Sequence, residues 1–234
     1  MLARGWPLAM GVLCLTGCVV EVHNGPTRHE SREFERKGIE RLRLDLHMGA
    51  GEVKVRGGAS ELVHADFTYN VDSWKPEVTY HVLGGTSDLS IEQPGHSHTH
   101  IGDTTYIWDV QAADDIPLEL IAHLGAGNAR LDLGGMTMRR VEVEMGVGEL
   151  NMDLRGTPKH DFDVHIHGGI GEATVHLPRD VGIYATGSGG IGEIHTEGLR
   201  KQGDHWVNDA YDNAKIRIRL DVEGGIGQIN LLVG

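Results

Sequence analysis

The chain has 234 residues, 34 of them glycine, with 5% aromatic content and a formal net charge of −13. So acidic a chain repels phosphodiester backbones, which excludes nucleic acid as a partner. Its two cysteines, Cys14 and Cys18, both lie near the start, so no disulfide framework supports the rest.

In chain order, Met1 to Arg4 is a short basic start and Trp6 to Leu15 an apolar stretch too short to span a bilayer. Leu15, Thr16, Gly17 and Cys18 then form a lipobox. The pattern predicts a bacterial lipoprotein signal over residues 1–17, cleaved before Cys18, which receives the acyl chains. A plain signal peptide or a buried strand is the alternative. Cleavage leaves 217 residues with a charge of −14. With no polybasic segment or second hydrophobic span, membrane attachment falls to the lipid. The predicted location is the cell envelope, on the outer side of the cytoplasmic membrane. In a diderm host it is the outer membrane, because Val19 is not the aspartate that retains lipoproteins.

Residues 18–38 read as the lipidated cysteine and a tether. The polar run Glu21 to Lys37, if extended, reaches roughly 55–60 Å at about 3.3–3.6 Å per residue.

Residues 39–234 read as one domain of short strands. Six Gly-x-Gly steps punctuate it: Gly49/Gly51, Gly125/Gly127, Gly146/Gly148, Gly169/Gly171, Gly190/Gly192 and Gly225/Gly227. The first glycines lie 76, 21, 23, 21 and 35 residues apart, one supersecondary period with two insertions. Residues five, three and one before each step are mostly apolar, as in Leu44/Leu46/Met48 and Val141/Val143/Met145. Alternation then resumes beyond the step, as in Val53/Val55 and Leu150/Met152/Leu154. Period two means strand, so each unit is strand, glycine corner, strand. The corner requires glycine either for a positive φ or for close approach of the next rung's corner. One unit cannot bury its apolar face, whereas units stacked about 4.8 Å apart share a continuous core. The expected fold is all-β, a β-solenoid-like stack of strand–Gly-x-Gly–strand repeats with an N-terminal hairpin elaboration.

That elaboration, residues 61–111, contains four strands, with Gly84 and Gly85 as a hairpin turn. Residues 203–213 form a shorter excursion. The chain ends on its last strand, Gln228 to Gly234, which predicts an open edge. The excursion covers it, or two chains pair there as an edge-mediated homodimer.

Aligned copies place equivalent residues in columns. Directly after the second glycine stand Glu52, Asn128, Glu149, Glu172, Glu193 and Gln228; two before the first stand His47, His123, Glu144, His167, Ser188 and Glu223. Glu149, Glu172 and Glu193 would repel at this spacing unless a divalent cation or raised pKa values relieve them. The preferred role for them is acceptance of hydrogen bonds from corner amides. His96, His98 and His100 share one face of an extended segment and form a candidate transition-metal cluster, the alternative being a solvated loop.

Gly187 to Gly192 satisfies G-x-G-x-x-G, but strand alternation and acidic residues follow where a phosphate site needs a helix N-terminus. No Gly-x-Ser-x-Gly elbow and no His-Glu-x-x-His motif occurs, and the processed chain has no free cysteine. No catalytic residue and no cofactor is therefore assigned.

The stretches Leu44 to Ala59, Ala65 to Asn70, Lys75 to Val78 and Leu89 to Pro94 resemble the N-terminal region of the bacterial toast-rack proteins. Trp108, Ile116 to Leu120 and Gly125 to Gly135 resemble the same family's repeat region. That region is shared with candidate adhesins and with the C-terminal part of cell-wall-stress response regulators. The resemblance covers roughly residues 39–234. It implies a β-solenoid-like stack on secreted or membrane-anchored envelope proteins and brings no catalytic residues.

The expected function is a non-enzymatic, lipid-anchored envelope adhesin or scaffold that binds protein or glycan. One alternative is an accessory regulator of an envelope-stress sensor. A polysaccharide-active β-helix enzyme is the other.

Overall fold

The computed structural model describes residues 25–95 and 104–234. The six Gly-x-Gly copies form six long strands: β2 (Arg41–Arg56), β7 (Leu118–Asp132), β8 (Met138–Asp153), β9 (Phe162–Leu177), β10 (Gly182–Glu197) and β13 (Arg217–Val233). All pair in parallel, glycine against glycine, with Gly127 opposite Gly51 and Gly148 opposite Gly127. Each strand bends at its corner into two arms whose apolar residues face one another. Leu44, Leu46, Val53, Val55, Leu120, Leu131, Val141, Val143 and Met152 are almost fully buried between them. Each such side chain withdrawn from water contributes about 1.5–3 kcal/mol, and this shared interior holds the stack.

Short links return the chain from second arm to first arm, and they stack as well. Leu133 N donates to Asp153 O at 2.8 Å, and Leu118 N donates to Thr137 O at 2.9 Å. A Cβ at Gly134 would lie 1.6 Å from Arg155 O, so the link carries a close-approach glycine of its own.

The 61–111 elaboration supplies a further rung in two pieces. Hairpin strands β4 (Glu77–Leu83) and β5 (Thr86–Glu92) turn at Gly84 and Gly85, as expected, and β5 runs parallel to the first arm of β2. Strand β6 (Tyr106–Ala112) runs parallel to the second arm of β2, and β3 (Val63–Tyr69) pairs antiparallel with β6.

Three expectations change. Residues 28–34, expected within the tether, form strand β1 (Arg28–Phe34), antiparallel to β3. Its polar Arg-His-Glu-Ser-Arg-Glu run suits an edge strand, where charge discourages further pairing. The C-terminal strand is not an edge, because β13 lies between β9 and β10 and pairs with both. The edge is β10, and the excursion covers its start. Strand β12 (His205–Val207), in a hairpin with β11 (Arg200–Gln202), pairs with Tyr184–Thr186. Asn208 fixes that cover, accepting from Ile183 N at 2.9 Å and donating to Val181 O at 2.7 Å. The glutamate column consequently runs Glu52, Asn128, Glu149, Glu172, Gln228, Glu193, so a neutral glutamine separates Glu172 from Glu193.

A polar knot around Glu30 is among the ties that hold strand β1, beside the Arg28–Asp72 ion pair and the His29–Thr68 contact. Tyr69 Oη donates to Glu30 Oε1 at 2.6 Å, and Lys75 Nζ donates to the same oxygen at 2.8 Å. The Lys75 bond, then the Tyr69 bond, holds the Glu30 carboxyl below its ordinary range. Burial, then the Glu30 bond, pushes the Tyr69 phenol up to about 12. Tyr69→Phe is expected to lower stability by about 1.5 kcal/mol, read from the urea midpoint, with early hydrogen exchange over residues 28–34. A depressed carboxyl contributes at neutral pH and loses that contribution as pH falls through its folded value. The gap between Y69F and the parent therefore narrows on acidification.

Candidate functional site

The residue between the two glycines of each corner is the apex of its rung. In spatial order the apices are Ala50, Ala126, Val147, Ile170, Ile226 and Ile191. Over β2, β7 and β8 the residue before each corner is large and buried: Met48, Leu124 and Met145. Over β9, β13 and β10 that position is Gly168, Gly224 and Gly189, and the apex is isoleucine. Bulk has moved from inside the corner to its outside.

Val147, Ile170, Ile226 and Ile191 are 49%, 52%, 48% and 72% exposed, in consecutive rungs. At about 4.8 Å per rung they form an aliphatic ridge roughly 15 Å long. Where the inner side chains are missing, an apolar pocket of about 60 Å³ opens beside the ridge, with Ile166, Ile194, Val222 and Ile229 in its wall.

Charged faces flank the ridge. On the first arm, His47, His123, Glu144, His167 and Glu223 follow one another rung by rung, with His123 Nδ1 3.0 Å from Glu144 Oε2 and His167 Nδ1 3.2 Å from Glu223 Oε2. Further out, Arg43, Glu119, Arg140, Asp163 and Arg219 alternate in sign, so like charges never meet directly along this row. Hydrogen bonds from Arg140 hold the Glu142 carboxyl below its ordinary range. On the second arm, Asn230 Nδ2 donates to Glu172 Oε1 at 2.8 Å and Glu52 pairs with Lys54 at 3.0 Å. Glu172 thus uses a side-chain partner in place of the corner amide expected for it.

The twelve corner glycines lie one pair to each of the six long strands. Cys18 and the His96, His98, His100 cluster lie outside the described residues. Sequence reasoning passed over the ridge, although the threefold Gly-Gly-Ile-Gly of residues 168–171, 189–192 and 224–227 was its signal. Among the described residues no helix is long and apolar enough to cross a membrane.

Residues 23–176 match the family described as the N-terminal domain of toast_rack, DUF2154. Residues 126–231 match the C-terminal domain described as cell wall-active antibiotics response LiaF. The crystal structure of a candidate cell adhesion protein from Clostridium sporogenes is 31% identical, covers 89% of this chain and all of its own, and superposes with a TM-score of 0.87. Candidate adhesins from Bacteroides fragilis (9% identity, 87% of this chain and 96% of that one, TM-score 0.29) and Parabacteroides merdae (11%, 88% and 97%, TM-score 0.26) are far more distant. Likeness at those scores carries no argument about this chain. A comparison with curated proteins finds no match.

Proposed function

The chain belongs to the toast-rack family, and from that premise we propose that it is a lipid-anchored, non-enzymatic envelope protein that binds a protein partner through the corner ridge, as an adhesin or scaffold. The observation that carries this reading is the exposure of Val147, Ile170, Ile226 and Ile191 in consecutive rungs. Contiguous apolar surface rimmed by charge is the usual mark of a protein contact. The large exposed apolar side chains among the described residues are all aliphatic. That favours protein over glycan, whose sugar rings are better matched by aromatic faces.

The anchor is Cys18, and Cys18→Ser is expected to move the protein from the membrane fraction to the soluble one. The ridge is tested by cross-linking in the native envelope with the lipidated parent and the Ile170→Asp/Ile226→Asp variant, circular dichroism verifying that the variant folds. The expected result is loss of the main cross-linked protein from the variant but not from a Leu83→Asp control. An unchanged set of cross-links counts against the ridge.

A second reading, an accessory regulator of an envelope-stress sensor, is favoured by one observation. All four ridge residues fall inside the stretch that matches the LiaF C-terminal domain. Under that reading the lost cross-link is to a membrane sensor. Homodimer formation, in turn, belongs at the second arm of β10, which pairs on one side only among the described residues and carries Glu193, His195 and Glu197. Light scattering on the C18S chain tests it, and a monomer at high concentration removes it.

A further inference from the structure

We propose that Asp45, His47 and His123 form a binding site for a divalent transition-metal ion, zinc in the first instance. The site lies on the outer face of β2 and β7, apart from the ridge rungs, and does not depend on the ridge reading.

Three observations meet here. Asp45 and His47 are alternate residues of one strand and so share a face, and His123 is the register partner of His47 on the next rung. One ligand atom from each of the three lies within 4.8 Å of the others, and the two imidazoles stack with centroids 4.5 Å apart and planes 15° from parallel. Asp45 Oδ1, finally, is shielded from water and makes no hydrogen bond, although His47 Nε2 is only 2.8 Å away. A shielded carboxylate oxygen whose near partner is a single poorly aligned imidazole is left short of stabilisation, and a cation there supplies it.

The surroundings suit a nitrogen-preferring ion. Glu144 Oε2 engages His123 Nδ1 at 3.0 Å, which leaves Nε2 of that ring as its ligand atom. A carboxylate behind a ligating histidine sets its tautomer and raises its basicity. Glu92, the register partner of His47, adds negative charge nearby. Two imidazoles and one carboxylate fit tetrahedral zinc with a fourth position open to water, and fit copper or nickel similarly, whereas calcium demands more oxygens. Tetrahedral ligands with bonds of about 2.0–2.1 Å stand roughly 3.3 Å apart and each imidazole ligates in its own plane, so binding requires one of the two stacked rings to turn out of the stack, a side-chain rotation that leaves the strands in place.

The test is calorimetric titration of the full chain with zinc, repeated with cobalt to read its visible absorption bands. Both run in parallel on a variant with His96, His98 and His100 replaced by alanine, which removes the other histidine cluster. The expected result is one ion per chain that persists in the triple variant. It should disappear on His47→Ala or His123→Ala and weaken about 10- to 100-fold on Glu144→Ala, with circular dichroism showing each variant folded. Binding that survives both single histidine changes, or that vanishes entirely in the triple variant, overturns the proposal.

Discussion

Alanine at position 148 is expected to destabilise the stack by at least about 4 kcal/mol, enough to leave much of the protein unfolded at 37 °C. Two separate causes act there. The Gly148 φ is +143°, a region that side-chain-bearing residues rarely adopt, and a Cβ would stand 1.7 Å from Gly127 O and 2.8 Å from Gly127 C. Both neighbours are backbone held in the ladder, so no side chain can rotate away. The obstruction would push a whole rung off its neighbour, with the buried Leu150 and Met152 behind it. Gly135→Ala is the control, since no atom lies within 4 Å of its Cβ position and its φ is not in the left-handed region. That change is expected to stay within about 0.5 kcal/mol. Urea unfolding followed by circular dichroism measures both, and a Gly148→Ala midpoint equal to that of the Gly135 variant would refute the close-approach account.

Ending the chain at Lys215 is expected to unfold everything from β10 onward and to expose β9. An ordinary C-terminal edge strand can often be removed at modest cost, since the sheet simply ends one strand earlier. Here the deleted residues lie in the interior, because Ile218, Leu220 and Val222 are buried between β9 and β10. Without them β10 keeps only its three-residue pairing with β12. Ile183 and Ala185 are opened to water, and four large buried side chains, Ile218, Leu220, Val222 and Leu231, leave the core. At about 1.5–3 kcal/mol each, the loss approaches the whole stability of an ordinary domain. Limited proteolysis of the truncated chain should cut first within residues 182–214. Deletion of residues 25–35, which removes only the outer strand β1, should leave that region protected. Equal protection of residues 182–197 in both truncations would mean that β13 does not separate β9 from β10.

The contrast explains how much of the architecture the sequence discloses. Alternation around each Gly-x-Gly step specifies strand, corner and strand, and the recurrence of the step specifies stacking in register. The order of the last three rungs is hidden, because residues 168–171, 189–192 and 224–227 all read Gly-Gly-Ile-Gly and any of them fits against any other. Link length does not decide it either. The four residues between β9 and β10 can step across one inter-strand spacing or two, about 5 or 10 Å. The ridge is hidden for another reason. Residue 48 is buried and alternation would bury 50 and 52, yet the next buried position is Val53, so the phase slips at the corner and sequence periodicity misassigns the apex. The Asp45, His47 and His123 group is half legible. The glycine alignment puts both histidines in one column, but the ring stacking and the shielded oxygen of Asp45 depend on coordinates.

The place of β13 also bears on how the protein is made. A chain emerging from its N-terminus can lay down β2, β7, β8 and β9 in turn, each rung templating the next. When β10 arrives, its proper neighbour has not yet been synthesised, and the vacant side of β9 presents the same Gly-Gly-Ile-Gly corner. Correct assembly then requires β10 to wait, or to dock against β9 and let go, until residues 217–233 appear and enter between them. The final closure spans sequence separations of 35 and 56 residues, contacts of the kind that slow folding. A slow last phase in refolding is the kinetic signature of a stack whose closing strand, β13, is made after the strand it must separate from β9.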